Sequence, residues 1–418
     1  MKKIVMLLFL SLSVIAADIT MEIVKEVEKK PSISIEDASA EFSDRLNRKF
    51  FKLLVGDLKV TSHFHVNENY NRADFDSGFD FAKYKDYDLV LRYQLYYDDF
   101  GYMRVKVKLF NLKSSELAFQ KIFKIKNNKR YPFLAHKIAC DTNDYTGAPP
   151  VDWMRRFVIF SKYTGAKQSE IVVSDYSLTY QKTIIKGGLN VFPKWASREQ
   201  KAFYYTAYES KPTLYRVDLY TGKRTKILTS EGMIVCSDVS RDGKKLLITM
   251  APKFQPDIYV YNIGSRKLEK VTKYPGIDVN GNFIENDRRV VFVSDRLGYP
   301  NIFAKGINTP GVERLVYHGR NNSSCSAFGH YVVYSSRESD NEFGSNTFNL
   351  YLISTKSEFI RRLTATGINQ FPKFSSDGES ILFIKHFKNQ SALGIIRLKY
   401  NKSYYFPLCV GKIQSIDW

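Results

Sequence analysis

The 418-residue sequence predicts a small α/β unit followed by an all-β propeller of six four-stranded blades, a mixed sheet with two helices preceding the blades. Three observations carry this. Residues beyond Trp153 repeat with a period of 42–46 residues. Each repeat holds short apolar runs separated by turn residues. Residues 18–145 lack that repeat.

The repeat is clearest where "LNVFPKWASREQKAFYYTAY" from Leu189 is set against "INQFPKFSSDGESILFIKHF" from Ile368, with further copies from Ile234, Asp278 and Ser323. The residue before each polar turn is a natural anchor: Trp195, Val239, Phe283, Phe328 and Phe374, at successive gaps of 44, 44, 45 and 46. Trp153 lies 42 residues before the first and Trp418 lies 44 after the last. "SRDG" (240–243) and "SSDG" (375–378) are hairpin turns, since Asp and Gly suit turn geometry and positive φ. "LYRVDLYTGKRTKIL" (214–228) and "DIYVYNIGSRKLEKV" (257–271) are further hairpins. The runs "LLITM", "RVVFVS", "YVVYSS" and "ILFIKH" are nearly continuous in apolar residues, as expected of strands buried on both faces between stacked sheets.

Six sets of second-to-fourth strands begin near Arg156, Lys201, Lys245, Arg289, His330 and Ser380, but there are seven anchors. The surplus anchor explains the terminal "IQSIDW" (413–418). A ring of sheets must seal its first and last members or leave two open edges. The terminal strand is therefore expected to pair beside residues 157–161 as the innermost strand of the first blade, giving a propeller over 156–418.

Ahead of the repeats, "EDASAEFSDRLNRKFFKLLVGD" (36–57) places Phe42, Leu46, Phe50 and Leu53 on one helical stripe. Residues 86–99, 102–112 and 116–125 alternate as strands, and 130–147 reads as a second helix. Together they make a domain over 18–145, with "YTGAPP" opening a linker over 146–155. The first residues, MKKIVMLLFLSLSVIAAD, have a basic start, an apolar run and small residues before Asp18. That is a secretory signal over 1–17, cleaved after Ala16 or Ala17, and it predicts export to the periplasm. No later run is long and apolar enough to span a bilayer, so a soluble mature protein is expected. The arm that follows, with Asp18, Ile19, Met21 and Ile23, is strand-like and suited to pairing with a sheet edge.

The formal charge of +20 is spread without a dense basic run. In an exported chain it argues for solubility or attraction to anionic envelope surfaces rather than for nucleic acid. Cys140, Cys236, Cys325 and Cys409 match no metal spacing and are expected to be free, because Cys236 and Cys325 hold equivalent positions of separate repeats. His63 and His65 are spaced to share a strand face, an arrangement more common at surfaces than at metals. No G-x-S-x-G elbow occurs, no α/β-hydrolase domain is expected after Trp418, and the turns lack the aromatic of sialidase boxes. No catalytic residue, metal or cofactor is assigned. The enzyme alternative is a propeller enzyme such as a metal-dependent lactonase, and the alternative among binding proteins is an envelope scaffold for glycan or another protein.

Innermost strands begin at one rim of the channel, so the positions three to five before each anchor are the expected partner surface. They include Asn190, Phe192, Val235, Cys236, Asp278, Asn280, Ser323, Ser324, Asn369, Gln370, Phe371, Gln414 and Ser415. A polar rim with Phe192 and Phe371 as apolar anchors suits protein recognition. Loops bearing Asp295, Arg296 and Arg337 open on the same face.

The order of parts, with "HKIACDTNDYTG" (136–147), "FPKW" (192–195), "FPKF" (371–374), "DGKKL" (242–246), "VSDRLGYPNIF" (293–303), "VDLYTG" (217–222) and "RRLTATG" (361–367), resembles the TolB family of the periplasmic Tol-Pal system in Gram-negative bacteria. The resemblance covers the whole chain. It implies a monomeric binding protein rather than an enzyme. The implied partners are the peptidoglycan-associated lipoprotein Pal at the channel mouth and TolA at the N-terminal arm, with other outer-membrane proteins open as further partners. The implied role is outer-membrane integrity and constriction during division. The Lys- and Glu-rich arm, and turns such as "ASRE", "IENDR" and "SAFGH", depart from the family pattern.

Overall fold

The computed structural model describes residues 30–338, 347–388 and 390–418. The signal-like segment and the arm residues Asp18, Ile19, Met21 and Ile23 lie outside the described residues.

The N-terminal region holds β1 (Ser32–Asp37), α1 (Asp44–Thr61), β2 (His65–Val66), β3 (Asn71–Arg72), β4 (Leu89–Tyr97), β5 (Met103–Asn111), β6 (Glu116–Lys124) and α2 (Pro132–Tyr145). Its sheet runs β2-β1-β4-β5-β6, with β3 also on β1. β1 is parallel to β4, while β4, β5 and β6 are antiparallel, so the sheet is mixed. The expected strands and the second helix agree with β4, β5, β6 and α2 to within a few residues. The expected helix over 36–57 does not. Its first residues finish β1, where Ile33 and Ile35 are fully buried, and the helix begins only after Ser43, whose hydroxyl accepts from the Leu46 amide at 3.3 Å. Alternation in "SISIED" and a parallel place beside β4 outweigh the helical propensity of "EDASAE". Among the described residues, no helix is long and apolar enough to cross a membrane.

After the short 3-10 turn Asp152–Arg155, the chain is all strand. β7 (Val158–Gly165), β8 (Gln168–Ser174) and β9 (Gln181–Ile185) form a sheet completed by β30 (Lys412–Asp417), in the order β30-β7-β8-β9. Ser415 faces Ser161 and Ile416 faces Phe160, the pairing expected for the terminal strand. Three four-stranded meanders follow. They are β10 (Leu189–Trp195), β11 (Ala202–Tyr208), β12 (Pro212–Asp218) and β13 (Arg224–Thr229); β14 (Ile234–Val239), β15 (Lys245–Met250), β16 (Asp257–Asn262) and β17 (Leu268–Lys270); and β18 (Asp278–Ile284), β19 (Arg289–Ser294), β20 (Asn301–Gly306) and β21 (Glu313–Arg314). The last strands are β22 (Arg320–Phe328), β23 (Tyr331–Glu338), β24 (Thr347–Ser354), β25 (Ile360–Arg362), β26 (Ile368–Phe374), β27 (Ser380–His386), β28 (Ser391–Arg397) and β29 (Lys402–Pro407). They make one eight-stranded sheet, because a parallel bridge, Phe348 to Ile368, joins two meanders.

Second strands such as β11, β15 and β27 are buried along nearly their whole length, as their apolar runs require. Gly243 and Gly378 take φ of 70° and 78° in the two Asp-Gly turns, where a side chain would be strained. The first strands of successive sheets touch in order, β10 to β14, β14 to β18, β18 to β22, β22 to β26, β26 to β30 and β30 to β10. The α/β unit is welded to this array. One apolar core runs from Phe50, Leu54 and Ile138 through Trp153 and Tyr176 to Leu382, Ile395, Ile413 and Ile416.

Candidate functional site

Every first strand carries a register break. The breaks fall between Val191 and Lys194, Cys236 and Asp238, Val279 and Asn282, Ser323 and Ser326, Gln370 and Lys373, and Ile413 and Ser415. At four of them a residue other than glycine has positive φ: Phe192 (54°), Asn280 (54°), Ser324 (52°) and Phe371 (53°). For phenylalanine this conformation costs on the order of 1 kcal/mol or more. Bulges of this kind re-aim side chains out of the two-residue alternation. Here they point them into a common cavity of about 280 Å3.

Eight of the sequence-derived rim residues line that cavity: Phe192, Val235, Cys236, Asn280, Ser323, Ser324, Phe371 and Ser415. The other five do not. Asn190 and Asn369 are buried stitches: the Asn190 amide donates to Ser169 O and Gly187 O, and the Asn369 amide to Phe348 O and Thr366 O. Asp278 is fully buried, and Arg296 Nη2 donates to both its oxygens at 3.0 and 3.1 Å. Gln414 accepts from Ser161 Oγ at 2.9 Å, and Gln370 stands outside the lining. Asn190, Asp278, Asn369 and Gln414 thus tie β10, β18, β26 and β30 to their surroundings, while residues at the bulges face the cavity.

Sequence reasoning missed Lys194 and Lys373, which also line the cavity. A signal existed. The residue just before each anchor reads Lys194, Asp238, Asn282, Ala327, Lys373 and Asp417, charged in four of six repeats. Lys194 Nζ lies 3.1 Å from Asp417 and 3.2 Å from Asp238. Burial works against its charge, but the two carboxylates outweigh burial and raise its pKa above the ordinary lysine value. Both carboxylates also accept from backbone amides of neighbouring strands, Asp417 from Trp195 and Asp238 from Phe283, each at 2.9 Å. Lys373 differs: burial, then Lys194, pull its pKa down against the opposing pull of Asp417 and Asp238.

A second buried polar cluster stands where the α/β unit meets the strands. His136 on α2 has Nδ1 at 2.8 Å from Asp57 Oδ2 on α1, and Nε2 at 3.2 Å from Asp175 Oδ2, just beyond β8. Tyr176 Oη donates to the other Asp57 oxygen. All four are at most 1% exposed. Burial alone would discharge the imidazole, but the flanking carboxylates win and its pKa rises to about 9. The possible His pair dissolves: His63 is buried, precedes β2 and bonds Asn143 through Nδ1, whereas His65 is exposed on β2. The four cysteines are free, with Cys140, Cys236 and Cys325 buried and Cys409 exposed. Among the described residues, no group of three or more His, Cys, Asp or Glu could hold a metal ion.

A family model described as "TolB beta propeller domain" matches residues 152–418. The chain is 53% identical to a Tol-Pal system protein TolB of Wolinella succinogenes, with all of both chains covered. It is 47% identical to that of Campylobacter jejuni, again over all of both, and 44% identical to that of Helicobacter hepaticus, over 99% of this chain and 98% of the other. In fold it is similar to the crystal structure of TolB from Acinetobacter baumannii, with a TM-score of 0.75 at 18% identity, over 93% of this chain and 97% of that one.

Proposed function

Since the chain belongs to the TolB family of the Tol-Pal system, we propose that it is a periplasmic binding protein whose channel mouth receives Pal. In this reading residues 1–17 are an export signal and the arm from Asp18 meets TolA. Residues 18–145 form the α/β domain, 146–155 the linker, and 156–418 six blades sealed by β30. Its role is outer-membrane integrity and constriction at division, and it performs no catalysis.

One observation carries the channel-mouth assignment. Four strained backbones in four different first strands converge on one cavity, and two of them present phenylalanine. Strain that recurs at equivalent positions around a single cavity is retained where a surface must be presented, since nothing in packing alone requires Phe at positive φ. The ring reading is supported by the unbroken succession of first-strand contacts and by β30 lying between β7 and β10. The envelope role follows the name of the relatives, and the propensity of Ile19, Met21 and Ile23 for extended structure supports the arm as a strand donor.

The test is the affinity of the purified protein for the soluble domain of Pal from the same bacterium, by calorimetry. Phe192→Ala and Phe371→Ala should each weaken binding by on the order of tenfold or more, the scale of an aromatic hot spot. Tm is read alongside. Asn369→Ala should lower Tm instead, because that amide stitches strands. Unchanged affinity in both Phe variants would overturn the assignment.

A further inference from the structure

Lys373 is the anomaly of the channel. It follows the bulge of β26 and lines the same cavity as Phe192, Phe371 and Asn280. Lys194, its repeat equivalent, has two carboxylates within 3.2 Å. Lys373 has neither a hydrogen bond nor an ion pair among the described residues. Asn280 Oδ1, in the same lining, is buried and has no donor. Among the described residues, the cavity that Phe192 and Phe371 line thus holds an ammonium without an anion.

We propose that Lys373 receives a carboxylate that the bound partner inserts into the channel. The partner segment is an Asp or Glu side chain beside an apolar residue that packs against Phe192 or Phe371, which line the same cavity. This rests on reading the channel mouth as the partner site.

The competing role for Lys373 is structural. The Asp238–Lys194–Asp417 triad carries a formal charge of −1, and Lys373 could merely balance it at long range. Two facts weigh against that role. Lys373 touches neither carboxylate, and both already accept a backbone amide besides Lys194. Its surroundings also lower its pKa on balance, so an arriving anion would relieve a charge the free protein holds poorly.

The experiment measures affinity of the full mature chain for the soluble domain of Pal, and Tm, for wild type, Lys373→Met, Lys373→Arg and Lys373→Glu. Lys373→Met should weaken binding by on the order of 10–100-fold with Tm held or raised, as for loss of one member of a desolvated charge pair. Lys373→Arg should stay within about threefold and Lys373→Glu should be weakest, because a kept charge retains the pair and a reversed one opposes it. Replacing each Asp and Glu of Pal by Asn or Gln should reveal one position whose loss is harmful to wild type and silent in Lys373→Met. Equal binding by wild type and Lys373→Met, with or without a fall in Tm, overturns this inference alone. Failure of Pal to bind wild type overturns the reading of the mouth, and this inference with it.

Discussion

Two polar clusters, one fully buried at the junction and one partly buried at the cavity, differ in how completely their members are paired. At the junction, Asp57, His136, Asp175 and Tyr176 are all joined by hydrogen bonds, and Asp175 also accepts from the Tyr180 amide at 2.6 Å and from Ser177. In the cavity, Lys194 is satisfied twice while, among the described residues, Lys373 and Asn280 Oδ1 have no partner. Burying a paired charge fixes a geometry, whereas burying an unpaired one leaves free energy that a partner can recover. The first cluster belongs to a joint; the second fits the partner site proposed above.

The largest test removes the strand that contributes to both the channel and the shared core. Deleting residues 413–418 exposes the edge of β7, strips Asp417 from Lys194 and takes away Ile413 and Ile416, which are 1% and 2% exposed. The two isoleucines alone are worth about 1.5–3 kcal/mol each. The truncated protein should melt roughly 10 °C or more below wild type, or lose its cooperative transition, by calorimetry. An unchanged melt would show that β30 is dispensable and that the channel charges do not hold the sheets together.

Next in size is the junction. Asp175→Asn leaves the His136 charge with one carboxylate in a dry site and should cost about 3–5 kcal/mol in urea unfolding. The matching change in the channel, Asp238→Asn, leaves Lys194 still paired with Asp417 at 3.1 Å and should cost only about 1.5–3 kcal/mol. Equal costs would erase the distinction between the clusters. Their pH dependence sharpens it. His136 rises from its ordinary 6.5 to about 9, so its contribution is complete below 6.5 and is lost as pH climbs through 9. The urea midpoint of wild type should therefore fall between pH 6.5 and 9.5, and the fall should be smaller in Asp175→Asn. Asp175 shifts down, because its hydrogen bonds outweigh burial, so its own contribution is lost only as pH drops below the ordinary carboxylate value near 3.8.

Much of this was legible in the sequence for a physical reason. A blade is a local object, so its turns and apolar runs lie within 46 residues and repeat, and the 44-residue step to Trp418 matches the pairing of β30 with β7. The channel lining was only partly legible. Strand alternation predicts which side chains share a face, but each bulge inserts a residue and shifts that face midway along the strand. Hence the expected rim residues Phe192 and Phe371 line the cavity, Asn190 and Asn369 instead bond neighbouring backbone, and Lys373 carries no signal in strand alternation. β1 was missed because six residues of "SISIED" gain their identity from β4, more than fifty residues away. The His136 cluster was invisible for the same reason: its four members come from α1, α2 and the β8–β9 loop.

The smallest test asks whether the backbone strain at the mouth is real and separable from the contact it presents. At an ordinary strand position glycine is less stable than alanine, because it loses more freedom on folding. At residue 371, with φ of 53°, that order should invert. Phe371→Gly should be more stable than Phe371→Ala by about 1 kcal/mol, since glycine alone enters this region without a Cβ penalty. Both variants lack the ring and should bind Pal equally weakly. Thermal melts of the two, read beside their affinities, distinguish the terms: a glycine variant no more stable than alanine would mean the bulge at β26 relaxes when the ring is gone. The strain would then be a consequence of seating the phenylalanine rather than a feature of the strand.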